Sequence, residues 1–189
     1  LTSDSPMAFI SGVYPISSYD HPEAFCDSVF KEINRRKIKD ITIDLRNNTG
    51  GSSKCVERLI SYFPHPDYSL YSKSQLKVSA YSKAYNKDRH PEIYSQICNL
   101  QDGELFVIED TPVKSNLKES ELYHGKTTIL VNNKTYSGAS TLAHVMEKLG
   151  IASVEGETGC PEVYFGNYLH FTLPKSKIDY YISFSKFYE

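Results

Sequence analysis

TTILVNNKTYSGASTLAHVMEKLG, residues 127–150, changes its periodicity once, and that change decides the fold. Thr127 to Val131 is a short apolar, β-branched run and reads as a buried strand. Asn132-Asn133 breaks it, because Asn tolerates turn and left-handed backbone. From Gly138 the spacing becomes helical. Leu142, Ala143, Met146 and Leu149 recur on one face, and Gly150 is a natural stop. Ser137 therefore lies where a strand gives way to a helix. Two readings follow. As a preferred N-cap residue, its hydroxyl can bond the first helical N–H groups. Exposed at a sheet edge beside unpaired N–H groups, it can instead be a nucleophile whose oxyanion those groups hold.

A second stretch has the same grammar. Ile41-Thr42-Ile43-Asp44-Leu45 is strand-like and passes into Arg46-Asn47-Asn48-Thr49-Gly50-Gly51 and Ser52-Ser53. An amphipathic helix is expected over Cys55 to Phe63, with Val56, Leu59, Ile60 and Phe63 on one face. A Gly-Gly pair between strand and helix lets backbone approach a ligand and aim N–H groups at an anion. It also serves as an ordinary turn.

Outward from these two stretches, Met7 to Tyr14 reads as a strand with a bulge at Gly12. A helix follows from Pro22 to about Lys37, with Phe25, Val29, Phe30 and Ile33 on one face. This βαβα order predicts a parallel sheet with crossover helices. Ser69 to Ser79 alternates and gives one or two strands, Lys83 to Leu100 short helical pieces, and Phe106-Val107-Ile108 a strand. Thr111 to Tyr123 is a polar loop, and Ala152 to Glu155 another strand. Tyr168 to Tyr188 alternates on both sides of Pro174-Lys175-Ser176 and predicts a C-terminal hairpin.

The chain has 189 residues, which suits one domain over 1–189 with a sizeable core. Its formal net charge of −2 and scattered Lys and Arg point away from a nucleic-acid partner. No stretch has the roughly 18 apolar residues of a membrane span. Leu1 stands first, so a processed form or a fragment of a longer protein is expected. Cys26, Cys55, Cys98 and Cys160 lack metal-binding spacing, and no metal or other cofactor is expected. They allow three disulfide pairings, among which the spacing does not choose; buried free thiols are the default for Cys26 and Cys55. Fifteen Tyr and no Trp suit a groove for an extended peptide.

Asp44 to Gly51, DLRNNTGG, resembles the Asp-Leu-Arg-x-Asn-x-Gly-Gly signature of the S41 serine peptidases, the C-terminal processing and tricorn-like group. VNNKTYSGAS resembles that family's nucleophile segment, and Val154 to Gly159, VEGETG, the Val-Gly-Glu segment after it. DGELFVIED and HGKTTILVNN resemble the approach to the nucleophile in short bacterial members. The resemblance implies a ClpP/crotonase-like α/β core of the short type lacking a PDZ segment, with a mostly parallel sheet flanked by helices. It implies acyl-enzyme hydrolysis of peptide bonds, on extended or C-terminal segments of peptides or unfolded proteins. An extracytoplasmic or secreted location is expected on the same ground.

Transferred to this sequence, Ser137 is the nucleophile, and Gly138 with the Gly50-Gly51 turn forms the oxyanion hole. Asp44, Arg46 and Asn48 support the loop, the first two as a buried ion pair at a strand end. The base does not transfer. In Ser–Lys members the Gly-Glu segment continues into Lys-Thr-Phe-Gly-Lys, whose last Lys activates the serine. Here Gly156-Glu157 runs into Thr158-Gly159-Cys160-Pro161-Glu162. Tricorn-like members use a first-strand His, where this chain has Phe9-Ile10-Ser11. His144 lies two turns along the helix from Ser137, and His124 precedes the strand on the wrong side. His21, after the first strand, is the candidate base. The alternative function is a catalytically inactive S41-like domain that binds a peptide or an apolar ligand in the same groove.

Overall fold

A computed structural model describes residues 7–11, 22–156 and 164–188. In chain order the elements are β1 (Met7–Ser11), α1 (Pro22–Arg36), β2 (Asp40–Asp44), α2 (Ser53–Ile60), β3 (Lys73–Lys77), α3 (Ala80–Arg89), α4 (Pro91–Ile97), β4 (Leu105–Glu109), β5 (Lys126–Val131), α5 (Gly138–Lys148), β6 (Ser153–Gly156), β7 (Phe165–Thr172) and β8 (Asp179–Tyr188). They form two compact units, one from residues 1–68 and 112–163, the other from 69–111 and 164–189.

The first unit is built on a parallel sheet in the order β1-β2-β5-β6. Its two central strands are the two runs singled out in the sequence. Ile43 sits beside Ile129 in the register, and both are buried. Alternation along β2 and β5 buries Ile41 and Ile43, then Thr127, Ile129 and Val131. Helix α2 packs against both α1 and α5. Its inner face, Cys55, Val56, Leu59 and Ile60, is the one expected, but the helix ends at Ile60, and Tyr62 and Phe63 lie buried in the turn beyond it. Helix α1 buries Cys26, Phe30 and Ile33, whereas Phe25 is exposed. The buried stripe is thus turned from the expected one. The reason is aromatic packing: Phe30 stacks on Tyr62 at 4.2 Å and meets the edge of Phe63 at 5.5 Å.

Helix α5 runs over the expected residues and ends as expected at Gly150 (φ 69°). Gly150 N–H donates to Glu147 C=O and Ile151 N–H to Met146 C=O, so the last carbonyls are satisfied by a left-handed cap. Helix α1 ends identically on Lys37 (φ 52°), with Lys37 N–H on Asn34 C=O and Ile38 N–H on Ile33 C=O.

The second unit is an antiparallel sheet in the order β4-β3-β8-β7 with α3 and α4. Its core is Leu76, Val78, Ile97 and Phe184, with Tyr85, Ile93, Leu100, Phe106 and Leu169 packed around it. The C-terminal hairpin is present as β7 and β8, closed by Leu173 N–H on Ile178 C=O at 2.9 Å. Of the alternating stretch from Ser69 to Ser79, one strand forms, and the helical pieces are α3 and α4. Among the described residues, no helix is long and apolar enough to cross a membrane.

Candidate active site

Strands β2 and β5 are parallel neighbours, so their C-terminal ends, and the loops that leave them, emerge side by side. The carboxyl ends of the strands are the side on which an open α/β sheet holds its ligands. Leu45 extends the ladder past β2, its N–H donating to Leu130 C=O at 2.8 Å. Beyond that point side chains take over. Thr135, buried in the β5–α5 turn, donates its hydroxyl to Leu45 C=O at 2.8 Å and accepts Asn132 N–H at 3.0 Å. Asn132 Oδ1 accepts the N–H groups of Asn47 and Lys134, each at 3.0 Å. Its Nδ2 donates to Asn47 Oδ1 at 3.2 Å. Tyr136 N–H donates to Asn48 C=O at 2.9 Å.

These bonds press the glycine turn onto the serine turn. Gly50 has φ 94°, and a Cβ placed on it would stand 2.6 Å from Gly138 N, 2.7 Å from Ser137 Cβ and 2.7 Å from Tyr136 O. A Cβ on Gly138 would stand 3.0 Å from Gly51 O and 3.2 Å from Gly51 N. Gly50 therefore requires glycine, for conformation and for space, whereas a Cβ on Gly138 would be tight against the Gly51 backbone, which would have to give by a few tenths of an ångström. Asn48, buried, accepts Gly50 N–H on its Oδ1 at 2.9 Å. That bond occupies the Gly50 donor. The N–H groups of Gly51 and Gly138 carry no hydrogen bond among the described residues, so two donors lie free beside Ser137.

The backbone and hydroxyl of Ser137 bear on the N-cap reading. Its backbone is at φ 52°, ψ −130°, a left-handed conformation that disfavours any residue with a Cβ by about 1–3 kcal/mol. Its hydroxyl makes no cap hydrogen bond to α5. The N-cap reading is therefore set aside. The first turn is secured instead by Thr141 N–H on Ser137 C=O at 2.9 Å and by Ser140 Oγ on Thr135 C=O at 3.0 Å. A strained serine at a strand-to-helix turn, with its hydroxyl released, is how a nucleophile is presented on such sheets.

Asp44 and Arg46 form a bidentate pair, Nε to Oδ1 at 2.9 Å and Nη2 to Oδ2 at 2.7 Å. The bonds from Arg46 hold the Asp44 carboxyl below the ordinary carboxylate range. The pair is not buried as expected: the Arg46 side chain is half exposed, because its partner is only two residues away on the same turn. It stiffens its own loop. Of the three supporting residues, only Asn48 reaches the serine turn.

His21 and Cys160 lie outside the described residues. Of the other histidines, His124 Nε2 lies 3.0 Å from a Glu119 carboxylate oxygen, His170 Nε2 lies 3.1 Å from an Asp179 carboxylate oxygen, and His65 Nδ1 is hydrogen-bonded with Pro66 C=O at 2.7 Å. Among the described residues, no side chain hydrogen-bonds to the Ser137 hydroxyl. Cys26 and Cys55 are buried free thiols, and Cys98 is a partly exposed one. Burial, with Cys55 as the next cause, pushes the Cys26 thiol up to about 11, so it is no nucleophile near neutral pH. Among the described residues, no cluster of His, Cys, Asp and Glu could hold a metal ion.

Asn47, Asn132 and Thr135 were not legible as site residues. Asn132 looks like a strand terminator in the sequence. The signal it carries is an Asn directly after a buried strand with Thr three residues on, the pattern of a side-chain-closed turn.

The ends of two adjacent parallel strands thus bring Ser137 and the Gly50-Gly51 turn together in an α/β domain. The chain belongs to peptidase family S41, whose model matches residues 12–170. Among solved structures it is similar to the photosystem II D1 C-terminal processing protease (TM-score 0.54, 14% identity), covering 89% of this chain and 34% of that one. It is also similar to mature CPAF complexed with lactacystin (TM-score 0.57, 15% identity), covering 89% of this chain and 39% of that one. A protein from Bacteroides fragilis named as a putative S41 protease aligns with a TM-score of 0.51 and 14% identity, covering 95% of this chain and 41% of that one. At these identities the likeness is one of fold, and the chain spans roughly two fifths or less of each of these structures. No curated protein sequence matches it.

Proposed function

We propose that this chain is the core of a serine peptidase in which Ser137 attacks the scissile carbonyl. The observation that carries the reading is Ser137 held at φ 52° with its hydroxyl uncommitted to the helix. As the tetrahedral intermediate forms, its oxygen gains charge and takes hydrogen bonds from Gly138 N–H and Gly51 N–H. Gly50 contributes shape rather than a donor, since Asn48 already holds its N–H. The intermediate collapses to an acyl-enzyme on Ser137 with loss of the amine, and water then releases the acid. His21 is the candidate for the proton transfers, and it stands on the sequence alone. The substrate proposed is an extended peptide end or unfolded segment. One solved structure of this fold is named as a C-terminal processing protease, which favours carboxy-terminal segments. An extracytoplasmic location is proposed with it.

A second reading has one observation in its favour: no described side chain bonds the Ser137 hydroxyl. A peptide-binding domain needs no activated serine. Intact-mass measurement after exposure to a fluorophosphonate separates the two. A single adduct, absent from Ser137→Ala, is expected; next, His21→Ala should slow its formation about a hundredfold or more, the scale of general-base catalysis. A folded chain that takes up no adduct would make it a binding module.

A further inference from the structure

The oxyanion donors come from two loops that share no covalent neighbour, so something must fix their separation. We propose that Asn132 is the positioning residue that does this, acting through Asn47; the inference rests on the peptidase reading above. Its amide makes three bonds of use. Oδ1 accepts Asn47 N–H and Lys134 N–H, each at 3.0 Å, and Nδ2 donates to Asn47 Oδ1 at 3.2 Å. The amide orientation is set by chemistry, because only the oxygen can serve two N–H groups. One of the bonds closes the β5–α5 turn that leads to Ser137. The other two grip Asn47, which sits at φ 61° one residue before Asn48. Asn48 in turn holds Gly50 N–H and receives Tyr136 N–H. The chain of contacts therefore runs from the serine turn through Asn132 and Asn47 to the glycine turn. Thr135, bonded to Leu45 C=O and Asn132 N–H, braces it from the buried side.

A donor displaced by about 1 Å loses most of its value to a transition state while barely altering ground-state binding. The effect belongs in the rate of phosphonylation, not in the affinity for the reagent. The experiment measures saturating fluorophosphonate reaction at Ser137 and the melting temperature of each variant. Asn132→Leu, with the same branching and no side-chain hydrogen bonds, should lower the limiting rate about tenfold to a hundredfold with KI unchanged. Asn132→Asp keeps both acceptor bonds, and Asn47 can turn its amide to donate to it, so most of the rate should return. Asn47→Gly keeps the left-handed backbone and the N–H bond but loses one amide bond, and should slow reaction about fivefold. It serves if Asn132→Leu does not fold. If both variants melt lower but phosphonylate at the wild-type rate, Asn132 is merely structural and the inference is overturned. If Asn132→Asp is as slow as Asn132→Leu, the amide geometry is not what matters, which also overturns it. A wild-type chain that takes up no phosphonate removes the peptidase reading itself, and the inference with it.

Discussion

Gly50 is held to glycine on two counts. Its φ of 94° disfavours a side chain, and an added Cβ would meet backbone at 2.6–2.7 Å, where nothing flexible can yield. Gly103 has the same sense of strain (φ 98°) but no atom within 4 Å of an added Cβ. The pair separates conformation from space. Gly103→Ala should cost about 1–2 kcal/mol in urea unfolding, the left-handed penalty alone. Gly50→Ala should cost clearly more and should abolish labelling of Ser137; equal costs would mean the glycine turn is not pressed onto the serine turn. Ser137 carries strain of the same kind, so Ser137→Gly should raise stability by about 1 kcal/mol while Ser137→Ala does not. If Ser137→Gly is no more stable than Ser137→Ala, the serine is not strained. The Asp44–Arg46 pair predicts a pH dependence. The folded carboxyl titrates below its unfolded value of about 3.9, so its contribution is present above that pH and is lost as pH falls through the folded value. Arg46→Met should therefore flatten the acid limb of the stability curve below about pH 4. An unchanged slope in acid titrations of the variant would show that Arg46, half exposed, is screened by solvent.

At the scale of elements, the sequence was most readable where burial is strongest. Strands β2 and β5 and helix α5 carry uninterrupted periodic apolar residues, and each forms within a residue or two of its expected span. Strand β3, Lys-Ser-Gln-Leu-Lys, buries only Leu76, and it is a strand because β4 and β8 flank it, which no local pattern declares. The buried stripe of α1 is not set by apolarity alone: Phe25 and Phe30 are equally apolar, and the packing of Tyr62 and Phe63 selects Phe30. The serine and its glycines were legible as motif. The amide bridge between Asn47 and Asn132 was not, since it exists only once two distant loops lie side by side. Helix ends tell a similar story: Gly150 announces its cap, whereas Lys37 holds the same left-handed position without any such sign. Lys37→Gly should therefore stabilise the chain by about 0.5–1 kcal/mol, roughly a 2–4 °C gain in melting temperature at the upper end. No gain would mean that the lysine makes compensating contacts.

At the scale of the whole molecule, the chain passes between its two units at residues 68–69, 111–112 and 163–164. Each unit has a core of its own kind. The first buries Phe30, Ile60, Ile129, Leu142 and Met146 between a parallel sheet and helices. The second gathers Leu76, Val78, Ile97 and Phe184 on an antiparallel sheet. Separate cores imply separate local stabilities, with the smaller core the weaker. Ile97 is fully buried, and Ile97→Ala should cost about 2–5 kcal/mol. That loss should appear as faster amide exchange in β3, β4, β8 and α4, with β5 and α5 protected as before. Phosphonylation of Ser137 should then keep its wild-type rate at temperatures where the second unit is loosened. Uniform acceleration across all of these segments would instead show one cooperative unit, in which the serine turn depends on the antiparallel sheet for its order.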